Sequence, residues 1–132
     1  MDELYREIIV ERYKSPLYKG TIDGANITFE DENPLCGDVI RIDLSVDEHG
    51  KILKGAFNGH GCAISQASAD LLIESIIGKN VEDVKAMKKQ DILDMLGIEL
   101  GPVRLKCALL SLKVAKAGVY GLKEADDTLV EG

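Results

Sequence analysis

The chain has 132 residues, 45% of them hydrophobic and 30% charged, with 23 acidic side chains against 16 basic ones and a net charge of −7. A chain of this size is expected to form one domain, 1–132, with a core of its own, and its acidity disfavours broad nucleic-acid binding. No apolar run approaches the roughly 20 residues that cross a bilayer, and the opening MDELYREIIVERYKS is charged throughout rather than built like a secretion signal; no membrane partner and a cytoplasmic location are expected.

From Asp2, a plausible N-cap, to about Lys14, Leu4, Ile8 and Glu11 trace one helical face with Tyr5 and Ile9 beside it. Ser15-Pro16 ends that helix, because the residue before proline avoids the α region. NITFED (26–31) reads as a strand. In VIRIDLSV (39–46) Ile40, Ile42, Leu44 and Val46 alternate with Arg41, Asp43 and Ser45, the pattern of a half-buried antiparallel strand. DEHG is a hairpin turn, and KILKGAFNG (51–59) a third strand. From Ala63 the period changes to helical: Ile64, Ala67, Leu71, Leu72 and Ile76 form a stripe ended near Gly78. NVEDVKAM and KKQDILDML read as short helices, the second stopped by Gly97. Pro102 opens a last helix read to Gly118, and the final EADDTLVEG reads as a frayed tail. The expected class is α+β: a three-stranded antiparallel sheet packed against about five helices.

Three cysteines, an odd number, do not suit a secreted disulfide framework. Cys36 precedes the second strand and Cys62 follows the third, so antiparallel pairing puts both at one end of the sheet. Asp38 lies two residues after Cys36, and in extended chain both side chains leave the same face. Cys107 joins them if the last helix docks its N-terminal end there. Thiolates are soft ligands for iron, zinc or copper(I), and a carboxylate is a harder, weaker one for such metals. Three cysteines and an aspartate therefore suit a metal or iron–sulfur cluster that is to be released. Gly37, Gly59 and Gly61 would let backbone approach a bulky inorganic group. Plainer readings stand beside this one. A single Cys is often a small buried hydrophobe, and Asp38 fits a turn role. His49 reads as a hairpin residue and His60 as an exposed loop residue. Arg104, Lys106, Lys113 and Lys116 recur along the last helix, either as a solvated face or as a surface for a partner.

NPLCGD (33–38), GHGCAIS (59–65) and PVRLKCALLSLKVA (102–115), with the opening LYREIIVERYKSPLYKG (4–20), together resemble the U-type iron–sulfur cluster assembly scaffolds, the IscU/SufU/NifU family, over nearly the whole chain. The resemblance implies the SufE/NifU-like scaffold fold and a carrier's role rather than an enzyme's. In that role sulfur comes from a PLP-dependent cysteine desulfurase, iron is bound, and a transient cluster, usually [2Fe-2S], is built and passed to recipient apo-proteins. It puts Cys36, Asp38, Cys62 and Cys107 on the family's ligand positions, with Cys107 as the persulfide acceptor. Cluster type and the choice between monomer and homodimer stay open.

The chain departs from that pattern in three places. Isc-type members carry a His directly before the last Cys; here that residue is Lys106, which resembles the Suf branch. The Suf branch carries an inserted segment before its last motif, whereas only 44 residues lie between Cys62 and Cys107. The alternative reading is therefore a zinc-dependent sulfurtransferase of the SufU type, with zinc on the same four residues. Where Isc members have an LPPVK segment read by an Hsp70-type chaperone, residues 100–104 read LGPVR, and losing a proline loosens the extended form such a partner selects. Lysine, protonated at neutral pH with a reference pKa of about 10.4, supplies no neutral nitrogen ligand. Lys106 is expected to modulate the site by pairing with Asp38 when no metal is bound.

Overall fold

The computed structural model describes residues 2–35 and 37–131; Cys36 lies outside the described residues. In chain order the elements are α1 (Asp2–Lys14), β1 (Ile27–Asn33), β2 (Asp38–Val46), β3 (Ile52–His60), α2 (Ala63–Ile76), α3 (Val81–Ala86), α4 (Lys89–Leu96) and α5 (Pro102–Tyr120), with a 3-10 turn at Asp127–Val130. The strands form one antiparallel sheet in the order β1-β2-β3. This is the α+β architecture expected from the alternating strand patterns and the helical periods.

Local chemistry explains the element ends. Asp47 Oδ1 accepts the amides of His49 and Lys51, both at 2.9 Å, and so closes the β2–β3 hairpin. Asn80 caps α3: its side chain accepts the Glu82 amide at 3.0 Å, while Asp83 accepts the Asn80 amide at 2.9 Å. Ile40, Ile42 and Leu44 of β2 and Phe57 of β3 are buried with α2 and α5 against them. Arg12 fastens α1 to α2, donating to Asp70 at 2.8 Å and also to Glu74. Asp70 is wholly buried and also accepts the Tyr18 amide at 2.8 Å.

Four sequence readings need correction. Among the described residues of α1 the buried one is Ile9, whereas Leu4 is 60% exposed; the helix meets α2 through the Ile9–Arg12 side. Asp43, placed by alternation on the outer face, is buried, and it stays so because Ile22 N, Thr28 Oγ1 and Arg41 Nε all donate to it at 3.0–3.1 Å. The last helix runs through Gly118, where the close passage of Ile27 and Phe29 leaves little room for a side chain, and stops at Gly121 in the left-handed region with φ 69°. The tail is not frayed through this region: Asp126 caps the 3-10 turn by accepting the Thr128 amide at 2.8 Å, and Val130 enters the core.

Candidate metal centre

The β2–β3 register pairs Val39 with His60 and Ile40 with Gly59. Continued outward by one step, it sets Asp38 beside Gly61 and the start of α2. Cys62 is the N-cap of α2, in extended conformation, and its thiol is exposed. The Asp38 carboxylate, 1% exposed, accepts the Cys62 amide at Oδ1 (3.0 Å) and faces the Cys62 Sγ from Oδ2 (3.6 Å). The backbone between them has no space for a side chain. Gly61 sits at φ 145°, and a Cβ there would lie 2.2 Å from Asp38 Oδ1. Only glycine lets this strand end turn so closely over the carboxylate.

The N-terminal half of α5 docks at the same end of the sheet and brings in Cys107, 2% exposed. Its Sγ accepts from Asn33 Nδ2 at 3.7 Å, and the Asn33 Oδ1 in turn accepts the Leu35 amide at 3.2 Å. Donor atoms of Asp38, Cys62 and Cys107 all lie within 4.8 Å of one another, and this group could hold a metal ion. Two sulfurs and a carboxylate oxygen around one point make a donor set that matches thiophilic metals. The fourth residue singled out in the sequence, Cys36, is outside the described residues.

The other expected participants fall elsewhere. Among the described residues no ion pair joins Lys106 to Asp38. Lys106 is exposed and lines a cavity with Asn33, Leu35 and Lys113, while Asp38 turns inward to Cys62. His60 is exposed at the end of β3, and His49 is an exposed hairpin residue. The basic stripe on α5 is not one surface. Lys113 is held by Asp31 at 3.3 Å and Asp127 at 3.4 Å, and Lys116 is buried, donating to the Met87 carbonyl at 2.6 Å. Asn33 was not singled out from the sequence. Its signal is positional, since it opens the NPLCGD motif at the last residue of β1, where a side-chain amide can reach across to α5.

Comparison with known proteins agrees with this architecture. Residues 4–127 match the model of the NifU-like N-terminal domain. The chain is 36% identical to the zinc-dependent sulfurtransferase SufU of Bacillus subtilis, covering 90% of this chain and 91% of that protein. It is 32% identical to the iron–sulfur cluster assembly scaffold protein IscU of Escherichia coli K12, covering 90% and 94%. The crystal structure of a putative scaffold protein for the SUF system from Fervidobacterium islandicum superposes with a TM-score of 0.76 at 29% identity, over 86% of this chain and 94% of that one. The chain belongs to the NifU-like N-terminal domain family, that of the IscU and SufU iron–sulfur cluster assembly proteins.

Proposed function

We propose that this chain is a scaffold on which an iron–sulfur cluster is built and from which it is handed on, a carrier rather than a catalyst. The observation that carries the reading is the convergence of Asp38, Cys62 and Cys107 within 4.8 Å, with Cys36 proposed as the fourth holding residue. The cluster is cargo here. Sulfur donors fix it, while the Asp38 oxygen is the weaker hold and already has an alternative engagement, the Cys62 amide at 3.0 Å. A carboxylate with two competing roles lets the cargo leave without unfolding the site.

Sulfur arrives from a PLP-dependent cysteine desulfurase, and Cys107 is proposed as its acceptor. The Cys107 thiolate attacks the outer sulfur of the donor's persulfide. The donor's S–S bond breaks, its electron pair leaves on the donor thiolate, and a new S–S bond forms at Cys107. The Asn33 amide, 3.7 Å from the Cys107 sulfur, is placed to donate to it. Cys62, exposed at the N-terminus of α2, faces the incoming partner, and the helix dipole there favours an anionic ligand. Exposed thiol chemistry of this kind fits a reducing cytoplasm.

A second reading keeps the same residues but makes zinc the resident ion and sulfur relay the whole task. It is favoured by the similarity to the Bacillus sulfurtransferase and by lysine at 106. Metal and sulfide analysis of anaerobically purified protein separates the two. Iron with acid-labile sulfide supports the scaffold; stoichiometric zinc with sulfur-relay activity and no sulfide overturns it in favour of the relay.

A further inference from the structure

A groove of about 590 Å³ runs between α1, the first turn of α2 and the segment 98–104. Ile9, Val10, Ile64, Ile98 and Leu100 line it, so that its walls are aliphatic. Arg6 from α1 and Arg104 from the first turn of α5 stand at its edge, and both are exposed. Among the described residues Glu99 is the one acid in the lining. Other arginines of the chain have carboxylate partners: Arg12 has Asp70 and Glu74, and Arg41 has Asp43. Among the described residues Arg6 and Arg104 have neither ion pair nor hydrogen bond. In a chain of net charge −7, two guanidinium groups without carboxylate partners among the described residues flank one apolar trough from two different helices. The groove also adjoins the sulfur site, since Ile64 is two residues beyond Cys62 and Arg104 one helical turn before Cys107.

We propose that this groove docks an acidic, aliphatic segment of a partner protein. Its leucine-type side chains would fill the trough, and its carboxylates would meet Arg6 and Arg104 at the rim. Guanidinium groups suit carboxylates by their paired, planar donors. A partner so held would lie against the N-terminal ends of α2 and α5, beside Cys62. The proposal does not depend on which metal or cluster the site carries.

The test uses the whole chain and the blocked heptapeptide Glu-Leu-Asp-Leu-Leu-Asp-Glu, followed by amide shifts in two-dimensional NMR. The expected result is saturable shifts at Ile9, Val10, Ile64, Ile98 and Leu100 that weaken as salt is raised. Affinity should fall about tenfold in Arg6→Gln/Arg104→Gln, the scale of two exposed charge pairs. Both side chains are exposed and unpaired, so the double variant should keep the wild-type melting curve, which checks folding independently. The proposal is overturned if the acidic peptide gives no shifts, or if the double variant binds it equally well. It is also overturned if a peptide with lysines in place of the acids binds as tightly, if octanoate alone saturates the groove at lower concentration, or if concentration-dependent dimerisation of the chain covers it.

Discussion

The carboxylate of Asp38 holds Cys62 at two points, accepting its amide at 3.0 Å and facing its sulfur at 3.6 Å. A buried acid joined to both the backbone and the thiol of one neighbour is part of the loop's architecture as well as a donor group. This dual engagement underlies the account of a cargo that is gripped by sulfur and released at oxygen.

Gly61 should be the least replaceable loop residue. Gly61→Ala puts a methyl group where Asp38 Oδ1 now sits, 2.2 Å away, whereas Gly24, also at positive φ, has open space around it. Both substitutions strain the backbone, but only the first displaces the carboxylate. Denaturant unfolding should show Gly61→Ala losing about 2 kcal/mol more than Gly24→Ala, together with weakened metal binding. Equal losses with normal metal binding would show that the close approach is unimportant.

Asn33 is predicted to act through Cys107. Asn33→Ala removes the donor to the sulfur and frees the Leu35 amide from its cap. Partners of this kind behind a metal ligand typically account for about 10–100-fold in affinity. A competition titration with zinc and a chromophoric chelator should show a loss in that range. An unchanged affinity would make Asn33 a turn residue only.

The burial of Lys116 has a pH signature. Burial pushes its ammonium below the ordinary value of 10.5, and Asp91 opposes this only in part. Between the lowered folded value and 10.5 the unfolded chain binds more protons than the folded one, so stability contributed at this site rises with pH through that alkaline window. Relative to Lys116→Met, wild-type protein should therefore gain unfolding free energy as pH climbs toward 10.5. A difference between the two that stays constant with pH would contradict this.

The tail gives a simpler check. Val130 is 7% exposed and packs into the core, so Val130→Ala should cost about 1.5 kcal/mol of stability in denaturant unfolding. A frayed tail would show no change.

These positions also mark what the sequence makes legible. The strands were readable because Ile40, Ile42 and Leu44 alternate cleanly, and α3, α4 and the start of α5 because Asn80, Gly97 and Pro102 punctuate them. Placing Cys62 and Asp38 together required only antiparallel pairing. The failures were tertiary. Asp43 is drawn inward by three donors, two of them, Ile22 and Thr28, from outside its own strand. Gly118 is small because β1 crosses there rather than because the helix ends. Lys113 and Lys116 lose their solvent to acids and a carbonyl that no helical period reveals. The docking of α5 that delivers Cys107 depends on the packed core, and the Asn33 contact depends on that docking.

The central claim is that oxygen at position 38 keeps the cargo exchangeable. The direct measurement is the rate of cluster transfer to an apo-ferredoxin after anaerobic reconstitution with desulfurase, cysteine and iron, comparing wild type with Asp38→Ala at matched cluster loading. The account predicts transfer slower by about tenfold or more in the variant, the size of a barrier change of roughly 1.4 kcal/mol. Transfer at the wild-type rate from a fully loaded Asp38→Ala protein would contradict it.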